Sequence, residues 1–170
     1  MADKSTQEAI EKVKELIKDI EVAMFTTISN GKAVSRPMQT QETEFDGDLW
    51  FMTMKDTAKY QEILQNPTVN LAYSGKSYVS ISGTAEISED LEKKKEFWNP
   101  ILGKLLETTY DDPNVVLIKV SAETAEYWET GNKLKSAAKF VKKLTTKETM
   151  DEDSDLNETV EFDRLYGSDN

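Results

Sequence analysis

Apolar residues recur at Ile10, Val13, Leu16, Ile17 and Ile20, the spacing of one helical face, and Ser5 with Glu8 fits a capping box. An amphipathic helix is predicted from about Thr6 to Asp19. The period then changes. V-A-M-F-T-T-I, Val22 to Ile28, is rich in β-branched residues, Asn30-Gly31 is a hairpin turn, and A-V-S-R-P-M-Q-T returns as a second strand. F-D-G-D, Phe45 to Asp48, turns into the strand L-W-F-M-T-M, and Tyr60, Ile63 and Leu64 mark a short helix that Asn66-Pro67 stops. T-V-N-L-A-Y, the turn S-G-K-S and Y-V-S-I-S-G-T-A-E-I form another hairpin, with Val79, Ile81 and Gly83 on one face and Tyr78, Ser80, Ser82 and Thr84 on the other. From Glu89 to about Leu106 the pattern is helical except at Pro100, D-D-P-N turns, and V-V-L-I-K-V begins a strand extending toward Tyr127. A last amphipathic helix is expected near Leu134 to Leu144.

The resulting order, α-β-β-β-α-β-β-α-β-α, is dominated by hairpins. It favours an antiparallel sheet or small barrel decorated with helices over a doubly wound α/β fold, and no internal repeat is present. Residues 1–146 read as one domain, whereas residues 147–170 have few apolar positions and the acidic run M-D-E-D-S-D, the pattern of a tail that is disordered or only docked. V-E-F-D-R-L-Y is the tail's one apolar cluster, able to pack on the last helix or on a partner.

The chain of 170 residues contains no cysteine and no histidine, which removes disulfides, thiolate nucleophiles, imidazole bases and the usual zinc ligand sets. Chemistry must use carboxylates, lysines, hydroxyls, backbone amides or a cofactor. The net charge of -11 is uneven: the segment Lys147 to Asn170 holds nine acids against two bases, leaving 23 acids against 19 bases before it. Such a chain is a poor candidate for nucleic-acid binding. No window approaches the roughly 18 apolar residues of a membrane span, and the N-terminus lacks the apolar core of a signal peptide, so a cytoplasmic protein without a membrane partner is expected.

Two stretches carry candidate chemistry. Arg36 is one of only two arginines and precedes Pro37, which requires an edge position or a bulge. Its planar fork suits a phosphate, although an arginine on the solvent face of a strand is the plainer reading. In F-M-T-M-K-D-T-A-K, Thr53 stands near a strand end, Thr57 is placed to cap the next helix, and Lys59 lies in that helix's first turn. Amides, hydroxyls and an ammonium would together bind an anion there, against the alternative of a plain threonine cap beside a solvated lysine. Lys59 is a cation where the helix dipole favours acids, a conflict that a bound phosphate would resolve.

S-R-P-M followed by a strand, Thr53, Thr57, Ala58 and Lys59 is similar to the FMN-phosphate site of the split-barrel flavoproteins. From about Thr6 to Leu144 the order of elements also resembles the pyridoxamine 5'-phosphate oxidase-related superfamily, and within it most closely the general stress protein 26 branch. The resemblance implies a mainly β fold, an antiparallel six-stranded split β-barrel of Greek-key, FMN-binding type with flanking α-helices. It implies Arg36 as phosphate ligand, Pro37 and Met38 along the isoalloxazine edge, Thr53 and Met54 at the ring or ribityl chain, and Thr57 and Lys59 completing the phosphate cradle. In the oxidases an arginine commonly precedes that lysine; here Ala58 stands in its place.

The same resemblance implies a homodimer with the flavin at its two-fold interface. Trp98 and Trp128 are large enough to anchor such an interface or to pack in the core. Glu126, Tyr127 and Trp128 match a Glu-aromatic-Trp sequence of the oxidases, and on that match Trp128 is expected at the cofactor. The oxidases continue with an Arg-Leu-His group that holds the vitamin B6 substrate, whereas G-N-K-L-K-S follows here, shorter by one residue and with Lys133 and Lys135 in those places. That difference argues against B6 oxidation. Lys133, Lys135, Lys139, Lys142 and Lys143 form a basic stretch able to attract an anionic substrate, face solvent or dock the acidic tail. The expectation is a flavin-binding protein of the general stress type, with FMN or, alternatively, FAD, acting on a small-molecule electron donor or acceptor. A non-enzymatic flavin carrier or sensor is the alternative, and an Arg36 held in a buried structural ion pair would point to a split barrel without flavin.

Overall fold

A computed structural model describes residues 4–41, 45–129 and 157–161. Its elements, in chain order, are α1 (Lys4–Ile17), β1 (Val22–Ser29), β2 (Lys32–Gln39), β3 (Asp48–Met54), α2 (Ala58–Gln65), β4 (Thr68–Ser74), β5 (Ser77–Ser88), α3 (Leu91–Phe97), α4 (Pro100–Leu106), β6 (Val115–Glu129) and β7 (Asn157–Glu161). The helix expected near Leu134 to Leu144, and the lysines it carries, lie outside the described residues. No helix among the described residues is long and apolar enough to cross a membrane.

Six antiparallel strands pair in the order β2-β1-β4-β5-β6-β3, so β3 crosses to the far edge from its sequence neighbour β2. The sheet curls until its two ends approach: beyond β2 the Gln41 amide donates to the Trp50 carbonyl of β3 at 3.1 Å. This is the split barrel. The two-residue turn closes β1 onto β2 with φ of 50° at Asn30 and 73° at Gly31, both left-handed as the hairpin requires. Pro37 is tolerated because β2 is an edge strand.

Strict alternation buries one face of each strand. Ala23, Phe25 and Thr27 of β1, Leu49, Phe51 and Thr53 of β3, and Val79 and Ile81 of β5 all point inward. Phe25 meets Phe51 edge to face with ring centroids 5.1 Å apart, the centre of the core. Ile10, Val13 and Ile17 of α1 add to it, with Leu16 and Ile20 packed at its margin. Helix α1 begins at Lys4, so Ser5, read as its cap, already lies within it. Pro100 divides the expected helical stretch into α3, whose cap Asp90 accepts from the Lys93 amide, and α4, whose cap Asn99 accepts from the Ile101 amide.

β6 reaches Glu129 and serves three partners: β5 along one edge, and on the other β3 up to Ser121 and β7 from Thr124. β7 comes from the segment read as tail. Its Asn157–Glu161 backbone pairs with Thr124–Trp128, because the edge of β6 beyond β3 offers unpaired amides and carbonyls.

The β5–β6 register shifts between Ser82 and Gly83, and at Gly83 the backbones approach so closely that a Cβ would lie 2.2 Å from the Ser121 carbonyl oxygen. Replacing Gly83 by Ala should therefore cost roughly 1–3 kcal/mol through forced separation of the strands. Differential scanning calorimetry should show a midpoint several degrees lower, and an unchanged midpoint would remove this close approach from the account.

Candidate functional site

The barrel's split is bridged by polar residues. On β2, Arg36 stands opposite Phe25 and points inward with Met38, while on β1 Thr27 follows Phe25 on the same face. Helix α2, entered directly from β3, packs on β1 and presents Glu62 to both side chains. Arg36 donates from one terminal nitrogen to the Thr27 hydroxyl at 2.8 Å and from the other to a Glu62 carboxylate oxygen at 2.7 Å. Thr27 donates its hydroxyl hydrogen bond to the same oxygen at 2.6 Å, so the triangle is closed. The Arg36 and Glu62 side chains are 20% and 14% exposed.

Arg36 is thus held in an ion pair, as the reading without flavin would require, but at the margin of the core. Two of the five guanidinium N–H groups are used, and the others have no partner among the described residues. The Glu62 carboxyl is held below the usual glutamate range, first by the Thr27 hydroxyl and then by the bond to and charge of Arg36. Neither Thr27 nor Glu62 is among the sequence-based candidates. The available signals were the inward alternation of β1 and the three-residue spacing of Glu62 from Lys59, which puts both on one helical face.

Beside this triangle lies the start of α2. Thr57 occupies the cap position with extended backbone but makes no cap bond, because its hydroxyl donates backward to the Met54 carbonyl at 2.7 Å. The expected threonine cap is corrected accordingly: the hydroxyl closes a turn. Since Thr57 has spent its proton, it accepts from the buried Thr53 hydroxyl, at a long 3.3 Å. Among the described residues no side chain accepts from the first amides of α2. Burial and then the Arg36 charge lower the Lys59 pKa, with Glu62 opposing them. An uncapped helix start, a crowded lysine and an arginine with spare donors form a place where, among the described residues, two cations face the one Glu62 carboxylate.

Arg36, Thr53, Thr57 and Lys59 are therefore linked around α2, with Met54 half-buried at the end of β3. Met38 is in the core and Pro37 is exposed on the other face of β2. Trp128 is not with them. It lies on the outer face of β6, paired with Tyr78 of β5, whereas Thr53 pairs with Val116 at the opposite end of the same strand. Trp98 packs locally, 6.5 Å from Tyr110 between ring centroids and over Gly103, where a Cβ would be 2.9 Å from the indole.

Residues 8–151 match the family described as pyridoxamine 5'-phosphate oxidase like. The chain belongs to that family. Among solved structures, the general stress protein 26 from Bacillus anthracis str. Sterne is 30% identical, covering 71% of this chain and 93% of its own, with a TM-score of 0.61. The general stress FMN/FAD binding protein from Xanthomonas citri is 28% identical over 74% of this chain and 92% of its own, with a TM-score of 0.64. A protein related to general stress protein 26, from Clostridium acetobutylicum, shares the fold at 18% identity over 94% and 99% of the two chains, with a TM-score of 0.66. No curated protein matches the chain.

The depressed Glu62 pKa of this pyridoxamine oxidase-like chain has a consequence for its stability. Because the folded value lies below the unfolded one, near 4.3, the contribution is complete above that pH and is lost as pH falls through the folded value. Urea unfolding from pH 7 downward should show the wild type losing more stability than Glu62→Gln below about pH 4. Parallel curves would remove the carboxylate from the acid response.

Proposed function

We propose that the chain binds a flavin nucleotide through the phosphate of its FMN half, as a homodimer, and acts as a flavin-dependent oxidoreductase of the general stress type. The observation that carries the reading is the uncapped start of α2 flanked by Arg36 and Lys59. Family membership and the similarity to a protein named for FMN/FAD binding support it. Thr53, Thr57 and the first amides of α2 would surround the phosphate, Arg36 would direct its spare donors to it, and the negative charge would relieve the pressure on the Lys59 ammonium.

A bound flavin would supply the redox chemistry, with this chain's residues holding it, setting the charge around it and excluding water. No catalytic base is assigned. The aromatic contact is proposed to come from a second copy. On the outer sheet face Tyr78, 50% exposed, pairs with Trp128, and a partner covering that face would place an indole near a cofactor its own subunit does not reach. Vitamin B6 is not proposed as substrate, because lysines stand where the oxidases have arginine and histidine.

Titrating apoprotein with FMN, FAD and riboflavin checks the assignment. Saturable binding at one flavin per chain is expected, with Arg36→Ala and Lys59→Ala each weakening both nucleotides about tenfold or more, near 1.4 kcal/mol, and leaving riboflavin unchanged. Equal losses for riboflavin would show a damaged fold, and no loss for any ligand would refute the phosphate assignment. Turnover with NAD(P)H and an acceptor then separates an oxidoreductase from a flavin carrier.

A further inference from the structure

On one side β6 outruns its neighbour. β3 pairs with it only from Val115 to Ser121, whereas β5 follows the other edge as far as Glu129. Left to itself, Thr124–Trp128 would show a bare row of backbone donors and acceptors along an edge that the ladder to β5 holds extended. Its sequence, T-A-E-Y-W, has two aromatic residues, one glutamate, no proline and no lysine or arginine, a composition suited to strand pairing. The chain's own segment Asn157–Glu161 takes up that row, with Asn157 opposite Trp128 and Glu161 opposite Thr124. This segment ends the sheet differently. N-E-T-V-E is five residues long and two of them are glutamates, and short charged strands are poor templates for further pairing.

We propose that Asn157–Glu161 is an edge cover, which by pairing with Thr124–Trp128 withholds the aromatic end of β6 from strand pairing with a second copy of the chain. The surface concerned is the edge of the sheet and not its face, so the inference is independent of the flavin reading and of the face-to-face dimer proposed with it. Two copies without the cover would offer each other the same row of amides and carbonyls. Antiparallel strands related by a two-fold axis satisfy both rows at once, and the aromatic residues add cross-strand contacts. With the cover in place, a further ladder would have to take in Glu158 and Glu161 from each copy, and like charges brought together across a ladder oppose its formation.

The test compares the full-length wild type with two double variants. Thr159→Pro with Val160→Pro breaks the pairing, because of two adjacent strand amides one points at β6 and proline supplies neither. Glu158→Thr with Glu161→Thr keeps the strand and removes its charges. Amide hydrogen exchange reads the edge and sedimentation velocity reads the assembly, both at neutral pH. In the wild type the amides of Thr124–Trp128 that point to β7 should be protected, and no species larger than a dimer should form. The proline variant should exchange those amides about tenfold faster or more, with β1 and β4 unchanged, and should form larger species that grow with concentration. The glutamate variant should keep the protection and form larger species as well. Exchange unmoved by the prolines shows that the segment does not cover the edge, and assemblies no larger than the wild type's in both variants show that the cover withholds nothing. Either result overturns the proposal.

Discussion

The fold depends on β6. Its fifteen residues form the one strand that joins both sides of the curled sheet, pairing with β5 over nearly its full length and with β3 over its first half. Val115 to Ile118 and Val120 are almost fully buried, so its first half supplies the barrel wall from which β3 is aimed at α2. A strand that long in a curled sheet must bend. The bend falls at the register shift opposite Ser82 and Gly83, where only a missing side chain lets the two backbones meet. Core packing and site geometry are thus coupled, because the end of β3 that carries Thr53 is positioned by its ladder to Val116.

Across the barrel's split, attachment is polar. Helix α2 follows β3 but is tied to the β1–β2 hairpin by Glu62, Thr27 and Arg36, in addition to the buried Ile63. A partly buried charge pair contributes little net stability unless its remaining hydrogen bonds are made, and Thr27 makes one by accepting from arginine while donating to glutamate. The arrangement also fixes the direction of the guanidinium. An arginine for which a carboxylate and a hydroxyl have already set the rotamer loses less entropy when it binds a further anion with its other N–H groups. The ion pair is compatible with a structural role for Arg36 and would equally preorganise its guanidinium for the proposed anion.

Much of this was legible in the sequence, for identifiable reasons. Asn30-Gly31 specifies a turn that few other dipeptides support, and alternation from Tyr78 onward fixes which face of β5 is buried. Arg36, Thr53, Thr57 and Lys59 converge because each is tied to an element boundary or an inward strand position that pattern reveals. Glu62 was not found because an acid on a short helix normally reads as solvated; its importance arises only when β1 and β2 fold against it. Thr57 shows the limit of capping rules, since position and backbone were right while the hydroxyl found a nearer acceptor in the Met54 carbonyl. Composition gave no sign of the Asn157–Glu161 strand, because backbone pairing to an open edge asks little of side chains.

Trp128 separates what one chain can assemble from what it cannot. Thr53 lies across from Val116, and Trp128 is twelve residues further along β6, roughly 40 Å of extended strand and on the opposite face of the sheet. No rotamer change carries a side chain to the other face and the other end of the strand, so under the proposed reading an aromatic contribution from Trp128 to a ligand at α2 would come from another copy. The proposed dimer would make the outer face of β5 and β6 part of the site and would give its exposed Tyr78 a role that core packing does not require. Under the proposed reading, the groups at α2 would fix the phosphate while Trp128 would act from a second copy, a division that the strand register requires because Thr53 and Trp128 lie at opposite ends of β6.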